Sequence, residues 1–156
     1  MVYRTVMAGT DGSTSSFRAV SAAASLAGAM GATLVLACAY LPMRESERAA
    51  AADRLGDLAY KVGGSTPADD ALRAARGHAV AAGADGAAGI VLAAEEGDAV
   101  DVLVALAGRH RADLLVVGNR GLNSLAGRLL GSVPSHVTHR APCDVLIVRT
   151  TPDGRS

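Results

Sequence analysis

Short runs of consecutive apolar residues alternate along this chain with stretches whose apolar residues recur at helical spacing. Tyr3–Ala8, Thr33–Tyr40, Gly89–Ala94, Asp113–Val117 and Val145–Val148 read as strands. Their near-continuous apolar character is that of strands covered on both faces. Between the first two, Ser13–Met30 places Ala19, Ala22, Ala23, Leu26 and Met30 at helical spacing, with Ser13 or Thr14 as N-cap and Gly31 as the closing glycine. Thr66-Pro67 opens another helix that runs to about Ala82, Thr66 capping it and Pro67 in its first turn. Asp98–His110 is the third long helix, turning Val100, Leu103, Val104 and Leu106 or Ala107 to the sheet, and a helix from about Ser132 to Arg140 precedes the last strand. The stretch Leu41–Ser65 breaks the alternation. It mixes Arg, Glu, Asp and Ala in a short helix expected around Glu45–Leu58, then ends in Gly63-Gly64-Ser65. A connection of that length in a compact α/β domain serves as a lid, a partner surface or a mobile loop.

Five apolar strands separated by helices predict one domain of the α/β class, a doubly wound parallel sheet with helices on both faces. Right-handed crossovers and a reversal of winding after the third strand give the order 3-2-1-4-5. Strands one and four are then neighbours, and ligands bind above their carboxyl ends at the switch point. The polar loops Gly9-Thr10-Asp11-Gly12 and Gly118–Gly131 leave those two ends and converge on one crevice. The polar stretch from Thr150 to Ser156 reads as frayed, so the domain is taken as residues 1–150 and the tail as 151–156.

Composition narrows the field. A chain of 156 residues is long enough to bury a real core. Half of it is apolar but only 3% aromatic, so Val, Leu, Ile and Ala must fill the interior. Formal net charge is zero, which argues against a general nucleic-acid binder. Lys61 is the only lysine; the many arginines read mainly as coding bias. The N-terminus is too short and too polar for a secretion signal, and no apolar run is long enough to span a membrane. Cys38 and Cys143 lie in separate apolar segments and read as inert small hydrophobes. The expectation is a soluble cytoplasmic protein.

The candidate chemistry sits in the second glycine loop. Gly118-Asn119-Arg120-Gly121, nine further residues, then Gly131-Ser132 follow the fourth strand directly. Glycines let backbone N–H groups approach an anion, and the next helix adds free donors and a partial positive charge. Ser132 supplies a hydroxyl, Val133-Pro134 fits a first helical turn, and Arg120 and Arg128 read equally as phosphate partners and as solvated surface groups. Asp11 reads equally as an acceptor for a ribose hydroxyl or exocyclic amine and as a turn or capping residue. There is no Walker-type G-x-x-x-x-G-K-[ST], no G-x-G-x-x-G after the first strand and no G-x-S-x-G elbow. His136 and His139, three apart, read as a surface pair rather than metal ligands. The pattern is that of a binding site without an evident general base.

Gly118-x2-Gly121-x9-Gly131-Ser132, Thr10-Asp11-Gly12-Ser13 and Ala141-Pro142-Cys143-Asp144-Val145-Leu146-Ile147-Val148 resemble the universal stress protein family, ATP-binding branch, over nearly the whole chain. The resemblance implies an adenine nucleotide alpha hydrolase-like fold. It implies adenine and ribose contacts from Asp11 and the backbone around Ala39, with Val117, Gly118, Gly121, Gly131, Ser132 and Val133 around ribose and phosphates. Mg2+ bridging the phosphates and a homodimer paired through Val145–Val148 are also implied. Ala39-Tyr40-Leu41-Pro42, Tyr60-Lys61-Val62 and Ala126–Pro134 are similar to a short actinobacterial subgroup in which cyclic AMP is a ligand. One departure is Glu96-Gly97-Asp98-Ala99 in place of the family's frequent Gly-x-Pro; it is expected to alter a turn rather than the site. The resulting expectation is a protein that binds ATP or cyclic AMP as a sensor or buffer in the stress response. A slow ATPase or phosphotransferase and a nucleotide-independent, chaperone-like interaction protein are the alternatives.

Overall fold

The computed structural model describes residues 2–41, 66–120 and 132–150. The helix expected around Glu45–Leu58, the residues Gly121, Arg128 and Gly131, and the tail 151–156 lie outside them. In chain order the described elements are β1 (Thr5–Gly9), α1 (Thr14–Met30), β2 (Thr33–Tyr40), α2 (Thr66–Ala81), a 3-10 turn (Ala84–Gly86), β3 (Gly89–Glu96), α3 (Ala99–Arg109), β4 (Leu114–Gly118), α4 (Ser132–Arg140) and β5 (Asp144–Val148). All strand pairs are parallel and the sheet order is β3-β2-β1-β4-β5, as the alternation predicts.

Alternation along the strands sends successive residues to two cores. Val6, Ala8, Leu34, Leu36, Leu114 and Val116 face α1 and α2, while Met7, Val35, Ala37, Leu115 and Val117 face α3 and Val137 of α4. The small side chains of Ala19, Ala23, Ala24 and Ala27 are fully buried, which lets α1 lie close on the sheet. On α3 the buried set is Val100, Val102, Leu103, Leu106 and Ala107. Val102 therefore joins the inward face, while Val104 is only half-buried against it.

The helix ends follow the expected chemistry. Ser13 caps α1 by accepting the Ser16 N–H at 3.1 Å. Gly31 closes the helix at φ 63°, the left-handed region that a side chain disfavours. At the opposite end of the sheet, the Asp113 carboxylate accepts the backbone N–H groups of Arg4 and Thr5 at 2.8 and 2.9 Å and so ties β1 to β4.

Thr150 does not belong to a frayed tail. It is only 3% exposed, because its side chain and backbone are bound to Asn119. Cys38 and Cys143 are free thiols.

Candidate functional site

The ends of β1, β2 and β4 are staggered, and the stagger makes a cleft. Pairing between β1 and β2 ends at Gly9↔Ala37, whereas β2 continues beside β3 as far as Tyr40↔Glu96. The Thr10 N–H donates to Ala37 O at 2.9 Å, and the Gly97 N–H donates to Tyr40 O at 2.8 Å. Backbone groups alternate sides along a strand, so Ala39 turns its N–H and C=O the same way as Ala37, past the end of β1. A donor and an acceptor thus face the cleft from one residue. The Cys38 thiol lies 3.6 Å from Ala39 O. Burial pushes that thiol up to about 11, with Asp11 and Asp69 adding to the rise, so it remains an S–H.

The first lobe of the cleft encloses about 430 Å³ of empty space, part of it bulk solvent at the mouth. Gly9, Thr10 and Ser16 line it on the β1–α1 side, Ala37 and Ala39 from β2, and Ala99 and Leu103 from α3. Val117, Gly118 and Arg120 close it from β4, with Val133 and Pro134 from the first turn of α4. An adjoining lobe shares Ala39, Ala99 and Val133 and adds Tyr40, Leu41, Gly97, Asp98 and Ser132. The turn Glu96-Gly97-Asp98-Ala99, expected to lie apart from the site, therefore forms part of its wall. Gly97 sits at φ 144°, and Asp98 caps α3 by accepting the Val100 N–H at 3.1 Å.

The β1–α1 loop is held by a chain of hydroxyls. Ser16 donates to Ser13 O at 2.8 Å, which uses its only proton. The 2.7 Å contact between Thr10 Oγ1 and Ser16 Oγ is therefore donated by Thr10, which also accepts the Gly12 N–H at 3.1 Å. Ser13 Oγ donates to Asp11 Oδ1 at 2.5 Å, and the same oxygen accepts the Ser13 N–H at 2.9 Å. Asp11 thus has the turn role, while its exposed side chain stays open to solvent; it lines neither lobe.

Two glycines have packing duties. A Cβ at Gly9 would meet the Leu103 methyls at 3.0 and 3.1 Å, and one at Gly118 would meet Thr150 Cγ2 at 2.7 Å. Of the residues singled out from sequence, Gly9, Thr10, Ala39, Val117, Gly118, Arg120, Ser132 and Val133 are brought together around the two lobes. Gly121, Arg128 and Gly131 lie outside the described residues.

Sequence reasoning missed Ser16, Leu103 and Pro134 as cleft residues. Ser16 carried a signal. It lies on the same α1 stripe as Ala19, Val20, Ala23 and Ala27, and a hydroxyl on a buried stripe needs partners. Among the described residues no His/Cys/Asp/Glu cluster is arranged to hold a metal ion, and no helix is long and apolar enough to cross a membrane.

An open parallel sheet whose cleft lies where the strand order reverses defines a doubly wound α/β domain. The profile of the universal stress protein family matches residues 2–149. The chain belongs to the universal stress protein family. It is 53% identical over 149 residues to universal stress protein Rv1636 of Mycobacterium tuberculosis, across 96% of this chain and 98% of that one. It is also similar to a solved universal stress protein in complex with cAMP, at 44% identity and TM-score 0.73, over 97% of this chain and 100% of the other. A family member from Arabidopsis thaliana solved with AMP bound shares the fold, at 16% identity and TM-score 0.63, over 97% and 95% of the two chains.

Proposed function

We propose that this universal stress protein binds adenine nucleotides, ATP and cyclic AMP among them, and acts as a sensor or buffer of nucleotide in the stress response. The observation that carries this reading is the overhang of β2. It turns the N–H and C=O of Ala39 over a slot walled by Ala37, Leu103 and Val117, which suits the edge and faces of a purine. The other side of the slot presents Gly118, Arg120 and the first turn of α4, where a phosphate meets a cation and the positive end of a helix. The cAMP complex of a 44% identical relative supports it.

In this reading Asp11 holds the ribose, Gly121, Arg128 and Gly131 complete the phosphate site, and Mg2+ accompanies ATP but not cyclic AMP. We further propose a cytoplasmic homodimer. Edge strand β5 leaves Leu146 37% exposed, and an apolar edge invites a partner strand. Light scattering at micromolar concentration returning a monomer would remove the dimer.

Isothermal titration with ATP, ADP, AMP and cyclic AMP, with and without Mg2+, tests the central claim. ATP and cyclic AMP should both bind, and only ATP should respond to Mg2+. Arg120→Ala should weaken ATP more than cyclic AMP, because a triphosphate extends past the first phosphate. Gly131→Val should abolish both, and Asp11→Ala should lose about 1.5–3 kcal/mol of binding. ATP turnover well above background, lost on a single side-chain change, would replace the binding reading with an enzymatic one.

A further inference from the structure

The chain leaves β4 through Gly118, Asn119 and Arg120, and the middle residue faces a different task from its neighbours. Gly118 and Arg120 line the cleft, whereas the Asn119 side chain reaches the residues after β5. Its Oδ1 accepts the Thr150 N–H at 2.9 Å and the Thr150 hydroxyl at 3.0 Å, and its own N–H donates to Val148 O at 2.8 Å. Thr150 is 3% exposed, with its methyl in the space that a side chain at 118 would fill. The Arg120 carbonyl oxygen lies 3.7 Å from that same point, so the chain folds tightly over Gly118 and Thr150.

This clasp is not needed to align β5. The β4–β5 ladder already runs from Leu114↔Asp144 to Gly118↔Val148, and the clasp lies beyond its last pair. What it fixes is the direction in which Gly118 and Arg120 leave the sheet. We propose that Asn119 and Thr150 are positioning residues that hold Gly118 and Arg120 against the anionic end of a bound ligand. Phosphate-bearing nucleosides then depend on the clasp, and a neutral nucleoside does not. The proposal rests on the nucleotide reading and adds residues that touch no ligand.

Two variants separate the hydrogen bond from the packing. Thr150→Val keeps the methyl against Gly118 and the backbone N–H but removes the hydroxyl donor; Thr150→Ser keeps the donor. ATP, cyclic AMP and adenosine are titrated against each variant and the unaltered protein, with thermal unfolding alongside. Thr150→Val should weaken ATP and cyclic AMP by about fivefold to tenfold, the worth of one hydrogen bond. Thr150→Ser should stay within about twofold of the unaltered protein by the same measure, and adenosine should bind all three proteins alike. Unchanged ATP and cyclic AMP affinities in Thr150→Val overturn the proposal, and so does an equal loss for adenosine, which would make Thr150 a structural residue only. An unaltered protein that binds neither nucleotide overturns the functional reading and this proposal with it.

Discussion

At Gly28 an added methyl would normally help, since alanine is the better helix former by about 0.5–1 kcal/mol. Here the sign reverses. A Cβ at Gly28 would run into Gly83 O, and one at Gly86 would stand 2.8 Å from Gly28 O. Both contacts are to backbone, so the 3-10 turn would have to lift off α1. Gly28→Ala should lose about 3 kcal/mol in chemical denaturation, and a gain would show that the two backbones are less closely packed than described. Ser16→Ala removes the acceptor of the buried Thr10 hydroxyl, at a cost of about 1–3 kcal/mol. The same experiment reads it, with Ser16→Thr as the variant that keeps an oxygen. At the surface of reactivity, iodoacetamide should modify half-buried Cys143 before Cys38, whose thiol is buried and raised to about 11. Peptide mass spectrometry showing Cys38 labelled first would contradict the burial.

Among the helices, α3 shapes the cleft with its start, as α4 does with its first turn. Asp98 accepts the Val100 N–H and stands in the wall of the second lobe, so Asp98→Ala should lower stability by about 1 kcal/mol through the lost cap. The thermal unfolding midpoint measures this. The strands and helices were legible because a buried parallel strand is apolar on both faces and these helices carry helical spacing. Ser13, Gly31 and Asp98 act at the ends where capping chemistry predicts. The inward turn of Val102 was not legible, since its neighbours Val100, Leu103 and Val104 satisfy the same spacing and only packing chooses between them. Thr150 reads as frayed from sequence because a polar residue after the last apolar run gives no local sign of a partner in the sequence-distant Asn119. For the same reason the Thr150 methyl, which fills the space a side chain at Gly118 would need, has no sign in the sequence around Gly118. The switch-point loops were legible as a pair because the strand order alone makes them neighbours.

For the molecule as a whole, the sheet has a protected middle and two edge strands, β3 and β5. Amide hydrogen exchange should be slowest in Val6–Ala8 of β1, Leu34–Ala37 of β2 and Leu114–Val116 of β4, which have neighbours on both sides and 0–3% exposure, and faster in edge strand β3. Equal protection of β3 in dilute solution would mean that its edge is covered too. The central place of β1 has a further consequence for synthesis. Its second neighbour, β4, emerges more than a hundred residues after β1 itself. A nascent chain translated only as far as β3 carries β1 as a raw edge, and such non-local pairing is slow and exposed to misassociation. Gly9 and Thr10 are translated more than a hundred residues before Val117, Gly118 and the Asn119–Thr150 bonds. A ligand that needs both walls has nothing to hold until both have been translated, so its stabilising effect reaches only chains extended past the second wall.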